Sequence, residues 1–464
     1  MRWSEAAAVS CQFSVLSGQQ ALVIGLGREG VDLTRFLAAH GASVTVTDVK
    51  SREALAESVA ALDGAQRVTF RLGRHSLSDL DGMDVVYASP GVPPENVLLT
   101  AAATRGIRRS SLVELFFALC PAPILGITGS AGKSTTTSLV GEMFARANRD
   151  TFVGGNIGRP LLGKLEAMTE HSWVVMELSS FQLEPLRQSP QVALITNVTP
   201  NHLDRHPSME AYWAAKGHIL AHQQWSDWAV LNADDPWSLR YRPLGRTLRF
   251  SLNGVVEGAY VADGQEERVM LLGEPLLSTG EIRLRGRHNV ANVLAAVAAA
   301  HAADIPRDAM VGAIRSFQGV AHRLQTVAHR GGVAFVDDSI ATAPERSMAA
   351  LRAYDCEPLV LIAGGRDKHL PMREWAELIT RRVKHVVLLG EMSGLVAEAI
   401  READSGFEGL SWTASMDEAV ARAAEVATEG DIVLLSPGGT SYDMYLDFEE
   451  RGRDFARAVG GLAQ

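Results

Sequence analysis

Residues 123–135 read PILGITGSAGKST, an apolar run that ends in glycine and hydroxyl residues and leads into a helix-like segment. A strand, a glycine-rich turn and a helix in this order are typical of a phosphate-binding loop, in which backbone amides cradle phosphates, Lys133 neutralises the β/γ charge and Ser134 reaches Mg²⁺. The strict pattern has glycine at position 127, where Ile127 stands, but the context outweighs a chance turn. The segment therefore predicts binding of a nucleoside triphosphate. The loop residues expected to contact it are Gly129, Ser130, Ala131, Gly132, Lys133, Ser134 and Thr135.

Apolar strand-like runs alternate with helix-like segments on both sides of this loop. The alternation predicts parallel sheets with helical connections, so the expected fold class is α/β. A length of 464 residues corresponds to about three domains. We place them at residues 1–111, 112–319 and 320–464 and expect ligands at the polar strand ends of each sheet.

The charge balance and the cysteines restrict the class of protein. Lys and Arg number 44 against 54 Asp and Glu, and this net charge of −10 argues against a nucleic-acid protein held by a global positive field. Cys11, Cys120 and Cys356 lie too far apart for paired-cysteine chemistry, so a reducing, cytoplasmic compartment fits best. No apolar run approaches the ~20 residues that span a bilayer. Residues 1–20 are interpreted as an extension and not as a signal peptide.

A second glycine turn lies near the start of the chain. Gly25, Gly27 and Gly30 fit the GxGxxG pattern between a strand and a helix, and Asp48 ends the next strand. Such a turn lets a phosphate approach a helix N-terminus, and the acid can accept a hydrogen bond from a sugar hydroxyl. The turn alone indicates nucleotide binding, and it leaves open a dinucleotide cofactor or a turn that only packs helix on strand.

Two further strand ends carry candidate metal ligands. Glu177 follows the strand WVVM and is either a second partner for Mg²⁺ or a solvated acid. His202 and His206 lie four residues apart and could pair on zinc if helical, but Pro200 and Pro207 place them in a loop. We favour one imidazole near the triphosphate, with a plain surface loop as the alternative.

Other polar residues are ambiguous from the sequence. Lys216 lies in a helix-like segment and is typical of a solvated lysine. Asn292, at the start of an Ala-rich helix, could cap that helix or recognise a base. Residues 337–339, 364–368 and 436–441 each end a strand of the third block. They suggest a second substrate site facing the triphosphate, although each could be only a turn.

Together these motifs resemble the Mur ligase family, from about Ala21 to the C-terminus. The resemblance is carried by the helix with Lys216 and by GITGSAGKST, GGNIG, MELSSFQL, NVTPNHLDRH, LNADD, GRHNVANV, AHRLQ, DDSIAT, GGRDK and LLSPGGTSYDMYLDFEERG. It implies an N-terminal Rossmann-like domain for a UDP moiety, a central ATPase domain with a parallel sheet, and a C-terminal Rossmann-like domain that binds an amino acid.

The resemblance implies an ATP-dependent amide ligase that acts in peptidoglycan precursor synthesis. We expect it to add D-glutamate to UDP-N-acetylmuramoyl-L-alanine through an acyl phosphate. We also expect a monomer that binds no nucleic acid and does not insert into a membrane. Lys133 and Ser134 would hold the phosphates and a first Mg²⁺ with Glu177. His202 and Lys216 would hold a second Mg²⁺, with Lys216 carbamylated as its counterpart is in the family. The expected catalytic residues are Lys133, His202 and Lys216.

The remaining site residues also follow from the resemblance. Asn292 would read adenine, while Arg323 and Asp338 would contact the phosphates and ribose. The UDP substrate would contact Gly25, Gly27, Gly30, Asp48, Gly91, Asn156 and His202. The incoming amino acid would contact Thr342, Lys368, Ser441 and Phe448.

Three positions depart from the family pattern. Ala131 stands where an asparagine is frequent, Ile340 where glutamate-adding relatives usually have lysine, and Arg366 where some have an acid. Because Ile340 removes a cation, L-glutamate stays open as the alternative amino acid. Three other activities also stay open: an NAD(P)-dependent oxidoreductase, a non-catalytic nucleotide-binding regulator, and a folylpolyglutamate-synthase-like ligase. The complete N-terminal block argues against the last.

Overall fold

The computed structural model describes residues 13–157, 160–201, 205–284, 286–354, 356–368 and 370–462. The chain divides into two compact units, residues 1–317 and 318–464. The described strands form two sheets in the first unit and one in the second, and helices connect them. The predicted α/β class with parallel sheets is confirmed. Because two sheets share the first unit, the boundary near residue 111 stays a prediction.

The first sheet is parallel and carries the second glycine turn. Its strand order is β3-β2-β1-β4-β5, so the turn after β1 lies between the ends of β2 and β4. The strands are β1 (Gln20–Ile24), β2 (Ser43–Asp48), β3 (Val68–Leu72), β4 (Val85–Ala88) and β5 (Arg108–Ser110). The helices of this part are α1 (Arg28–Ala39), α2 (Ala56–Ala60), α3 (Val97–Thr104) and α4 (Leu112–Leu119).

The second sheet carries the phosphate-binding loop after β6. Among the described residues its order is β14-β13-β12-β11-β10-β9-β6-β8-β7, parallel from β7 to β12 and antiparallel beyond. The strands are β6 (Ile124–Thr128), β7 (Thr151–Gly155), β8 (Trp173–Glu177), β9 (Val192–Ile195), β10 (Trp228–Asn232), β11 (Arg246–Ser251), β12 (Gly258–Ala262), β13 (Arg268–Leu271) and β14 (Glu274–Ser278). The helices are α5 (Lys133–Arg146), α6 (Ser180–Leu183), α7 (Met209–Gly217), α8 (Arg287–Ala302) and α9 (Arg307–Ser316).

The third sheet forms the second unit. Its order is β15-β16-β20-β17-β18-β19, with β15 antiparallel to β16 and the other pairs parallel. The strands are β15 (Gln325–Arg330), β16 (Val333–Asp337), β17 (Leu359–Gly364), β18 (Val383–Leu389), β19 (Leu410–Thr413) and β20 (Ile432–Gly438). The helices are α10 (Pro344–Arg352), α11 (Arg373–Arg382), α12 (Ser393–Ala403), α13 (Met416–Val426) and α14 (Phe448–Gly460). The three polar strand ends predicted in this block follow β16, β17 and β20, which are neighbours.

The helices of both units are too short or too polar to cross a membrane, as far as the described ranges extend. The core is made by strands that are buried on both faces. In β6 and β20, for example, every residue is buried, because helices cover the two faces of a parallel sheet.

Candidate active site

The phosphate-binding loop has the predicted strand, turn and helix. Gly129 has a φ of 153° and Gly132, the N-cap of α5, has a φ of 82°. A Cβ atom on Gly132 would lie 2.1 Å from Asn292 Oδ1, and one on Gly129 would lie 1.9 Å from Thr196 Oγ1. Both positions therefore require glycine, and the loop ends at a helix N-terminus, where backbone amides favour an anion.

The segment after β9 fixes this loop. Asn197 O accepts a hydrogen bond from Ser130 N (2.9 Å), and its side chain binds both backbone groups of Ala131, at 2.9 and 3.0 Å. Thr196 Oγ1 donates to Ala131 O at 2.6 Å. Neither Thr196 nor Asn197 was predicted as a contact of the loop, although Asn197 begins the motif NVTPNHLDRH and Thr196 directly precedes it. Thr196 and Asn197 hold the conformation of the loop through hydrogen bonds to the backbone of Ala131.

Two lysines share one carbonyl of the loop. The Nζ atoms of Lys133 and Lys216 each lie 2.9 Å from Gly129 O. Lys216 is only 1% exposed, so its interpretation as a solvated lysine is wrong. Burial lowers the pKa of Lys216 well below its ordinary value, the Lys133 cation lowers this pKa further, and Glu177 opposes the shift. The three predicted residues Lys133, Lys216 and Glu177 are therefore within electrostatic range of one another.

Glu177 is a buried carboxylate with one unused oxygen. The residue is 2% exposed, and its Oε1 accepts a hydrogen bond from Asn156 Nδ2 at 2.8 Å. Its Oε2 is buried and has no hydrogen-bond partner within the described residues. The interpretation as a solvated acid is thus wrong. A buried carboxylate oxygen without a donor is costly unless a cation neutralises it, and Mg²⁺ prefers such oxygen ligands.

Of the two candidate histidines, His206 is described by the structure, whereas His202 lies outside the described residues. His206 is 2% exposed, its Nε2 lies 3.0 Å from Ser180 Oγ, and its ring stacks on Phe181 with centroids 5.2 Å apart. His206 Nδ1 also lies 3.4 Å from Glu184 Oε1. His206 therefore packs within the fold through contacts on both ring nitrogens, which disfavours the zinc alternative.

The N-terminal turn is closely packed on one side and open on the other. A Cβ atom on Gly30 would lie 2.0 Å from Gly25 O, which explains the glycine at that position, whereas Gly27 and Gly91 have open space around them. Asp48 Oδ2 accepts from Leu26 N at 2.8 Å, and its Oδ1 accepts from a backbone amide two residues further on at 2.9 Å. The predicted residues Gly25, Gly30 and Asp48 therefore lie together, with Asp48 holding the turn.

A cavity of about 520 Å³ adjoins this turn within the first unit. It extends from Ser89, just after β4, to Phe181 and Gln182 in α6. Gln182 Nε2 donates to Glu29 Oε1 at 2.7 Å and so links α6 to α1. Ligand cavities of a few hundred cubic ångströms accept drug-sized molecules. Phe181 and Gln182 were not predicted to line a cavity, although both lie in the motif MELSSFQL, because their spacing carries no signal for one.

The other predicted nucleotide contacts lie in both units. Asn292 is 7% exposed and donates through Nδ2 to Asn289 Oδ1 at 3.0 Å. Arg323 and Asp338 belong to the second unit. Asp338 is 5% exposed, and its carboxyl accepts from Ser436 Oγ at 2.8 Å and from a backbone amide at 3.2 Å.

Burial raises the pKa of Asp338 to about 7. Between the ordinary value near 4 and this value, the folded chain binds a proton that the unfolded chain has lost, so this carboxyl makes the protein less stable as pH rises through that window. Asp338→Asn removes this dependence. As the pH rises from 5 to 7, we expect the wild type to lose about 2–3 kcal/mol of unfolding free energy that the variant keeps. Urea unfolding at both pH values measures it, and parallel pH profiles would contradict it.

The predicted amino-acid contacts lie at the ends of β16, β17 and β20. Lys368 Nζ donates to Thr342 Oγ1 at 3.3 Å. Ser441 is 2% exposed, and Phe448, the first residue of α14, accepts through its carbonyl from Ser339 Oγ at 2.8 Å. The structure thus joins Thr342 directly to Lys368, and it connects Phe448 to the β16 end through Ser339.

The structure shows the polar partners of two positions that depart from the family pattern, Ile340 and Arg366. Ile340 O accepts from Thr342 N at 2.8 Å and from Arg346 Nη1 at 3.4 Å, so a guanidinium lies beside this position. Arg366 forms a two-pronged ion pair with Glu391 at 2.9 and 3.0 Å. Both partners of that pair are about half exposed, so the pair contributes little to stability.

Three family models match the chain. They are the N-terminal domain of MurD-like Mur ligases over residues 19–110, the Mur ligase middle domain over 127–300, and the Mur ligase glutamate ligase domain over 322–439. The chain is 42% identical over 452 residues to the UDP-N-acetylmuramoylalanine–D-glutamate ligase of Symbiobacterium thermophilum, across 96% of this chain and 98% of that protein. The protein of the same name from Pelotomaculum thermopropionicum is 41% identical over 450 residues, with the same two coverages.

Solved structures share the fold at low sequence identity. MurF of Acinetobacter baumannii aligns with a TM-score of 0.56 and 16% identity, over 97% of this chain and 98% of that one. MurC of Thermotoga maritima, a UDP-N-acetylmuramate–alanine ligase, aligns with a TM-score of 0.55 and 18% identity, over 95% and 99%. At this identity the likeness concerns the fold alone.

Proposed function

Because the chain belongs to the Mur ligase family, we propose that it is the ATP-dependent ligase that joins D-glutamate to UDP-N-acetylmuramoyl-L-alanine in peptidoglycan precursor synthesis. The names of its relatives at 41–42% identity support this substrate pair. The observation that carries the proposal is the set of charged side chains at the phosphate loop, in which Lys133 and the buried Lys216 share Gly129 O and the buried Glu177 keeps one carboxylate oxygen unused.

The reaction activates a carboxylate, which is a poor electrophile. The carboxylate oxygen of the muramoyl-alanine substrate attacks the γ-phosphorus of ATP, ADP leaves, and an acyl phosphate forms. The amine of glutamate then attacks the acyl carbon, loses a proton, and expels phosphate from a tetrahedral intermediate. Such steps depend on charge neutralisation and positioning more than on a protein nucleophile. Lys133, held on the loop, would neutralise the transferring phosphoryl group.

We propose that Ser134 and Glu177 hold one Mg²⁺ and that His202 and Lys216 hold another. The buried, unpartnered Glu177 Oε2 fits a cation at this place. Bound Mg²⁺ supplies further positive charge at the phosphate oxygens. A lysine becomes a metal ligand only if its charge is removed, and the lowered pKa of Lys216 favours the neutral amine that CO₂ can carbamylate.

We further propose that the domains are residues 1–111, 112–319 and 320–464. We also propose that the protein is a cytoplasmic monomer that binds no nucleic acid and does not insert into a membrane. ATP is bound by the loop residues 129–135 with Asn292, Arg323 and Asp338. The UDP substrate contacts Gly25, Gly27, Gly30, Asp48, Gly91, Asn156 and His202, and the cavity beside the turn provides room for it. Glutamate contacts Thr342, Lys368, Ser441 and Phe448.

Phosphate release from ATP in the presence of UDP-N-acetylmuramoyl-L-alanine tests the function and the amino acid together. We expect kcat/KM for D-glutamate to exceed that for L-lysine and meso-diaminopimelate by at least about tenfold, because a site with cations rejects chains that bring their own cation. We also expect it to exceed that for L-glutamate, as the names of the relatives imply. Preference for L-glutamate would overturn only the stereochemistry. Preference for either diamino acid would overturn the substrate assignment, and reduction of NAD(P) without ATP would favour the oxidoreductase.

A further inference from the structure

Arg451 in α14 is a buried arginine that the proposed mechanism does not use. It is 3% exposed, and burial lowers its pKa only to about 10, so it stays charged at neutral pH. A buried charge is costly unless it is paired or fully hydrogen-bonded. The partners of this guanidinium therefore indicate why it is there.

The guanidinium binds only neutral oxygens. Its Nε donates to Ser339 Oγ at 2.9 Å, Nη2 to Ser339 O at 2.9 Å, and Nη1 to Gly439 O at 3.2 Å. Within the described residues no carboxylate lies within ion-pair distance of Arg451. The nearby Asp337 accepts instead from His322 at 2.7 Å and from Ser339 N at 2.8 Å.

These contacts tie together the segments that carry the proposed glutamate contacts. Ser339 lies three residues before Thr342, and Gly439 lies two residues before Ser441. Ser339 Oγ, which accepts from Arg451, in turn donates to Phe448 O at 2.8 Å. One side chain thus fixes the ends of β16 and β20 against the first turn of α14.

The charge of Arg451 also reaches the site. Burial lowers the pKa of Lys368, and the cations of Arg346 and Arg451 lower it further. Within the described residues, none of these three side chains forms an ion pair with a carboxylate. Asp443 and Asp337 stabilise the charged form of Arg451 without pairing with it. Lys368, which donates to Thr342, therefore lies within electrostatic range of two further cations, and a second carboxylate on the ligand would meet positive charge there.

We propose that Arg451 is a positioning residue of the amino-acid site: its guanidinium clamps the Ser339 turn to the Gly439 loop and contributes the buried charge that selects a dicarboxylic amino acid. The inference rests on the proposed function. The substitution Arg451→Lys separates the charge from the hydrogen bonds, because it keeps the positive charge but cannot form the three-pronged clamp.

Steady-state kinetics of the full-length chain test the clamp. In Arg451→Lys we expect the KM for D-glutamate to rise by about tenfold or more, while kcat and the KM values for ATP and the UDP substrate change by less than about threefold. The control is Arg457→Lys on the same helix, whose arginine is 58% exposed and pairs with Asp417 and Asp454. It should leave all three KM values unchanged.

The preference for D-glutamate over D-glutamine tests the charge. We expect Arg451→Lys to keep this preference and Arg451→Met to lower it by about tenfold. If circular dichroism shows that Arg451→Met is unfolded, the KM of Arg451→Lys for D-glutamate alone decides. An unchanged KM for D-glutamate in Arg451→Lys, or a parallel change in all KM values, overturns the inference while wild-type turnover upholds the proposed function. A wild type that uses none of the acids tested overturns both.

Discussion

Replacing Lys133 with alanine should abolish ATP-dependent phosphate release, with kcat lower by about 10³-fold or more. Lys133 lies at the first position of α5 on the phosphate loop, where its ammonium group would meet the charge that develops during phosphoryl transfer. The fold should survive, because Gly129 O, which Lys133 binds at 2.9 Å, keeps Lys216 as a donor at the same distance. Coupled-enzyme phosphate assays and circular dichroism measure the two effects.

Two variants sharpen the Lys133 experiment. Lys133→Arg keeps a positive charge but changes its shape, so we expect it to retain part of the lost activity. Lys164→Ala removes an exposed lysine of the same unit and should leave kcat unchanged. Turnover at the wild-type rate in Lys133→Ala would show that the loop does not bind the transferring phosphate.

The parts of the site that depend on local chain geometry could be predicted from the sequence. The apolar run before Gly129 and the helix after Gly132 form as expected, because the turn between them needs two positive φ angles that glycine supplies. In these segments the signal lies within about ten neighbouring residues, so tertiary contacts do not override it.

Burial of charged side chains could not be predicted in this way. Arg451 lies in a segment rich in polar residues, where a charged side chain is normally solvated, and Lys216 lies in the helix MEAYWAAKG, where its spacing indicates no partner. Lys216 is buried because α7 packs against the loop carbonyl of Gly129, 87 positions away, and Arg451 because α14 covers Ser339, 112 positions away. Such contacts depend on the order of strands in the sheets. The role of Lys216 followed only from the family resemblance.

Lys216→Ala should lower kcat by about 100-fold or more, and added formate or acetate should restore part of the activity. The side chain is 1% exposed, so its removal leaves a buried cavity beside Gly129 O and near Glu177. A small carboxylate that enters this cavity brings the anionic oxygen that we assign to the carbamylated lysine. Phosphate release against carboxylate concentration measures the rescue, which should saturate.

Lys216→Arg is the matched variant, because arginine fills the cavity, keeps a cation and is not carbamylated. We expect it to be as inactive as Lys216→Ala and to gain nothing from formate or acetate, since the anion has no space to occupy. In the wild type, ¹³CO₂ should give a carbamate carbon signal by NMR that both variants lack, and removal of dissolved CO₂ should slow turnover. An active Lys216→Ala enzyme would show that this buried amine serves the fold alone, and rescue of Lys216→Arg would show that the carboxylate acts at another place.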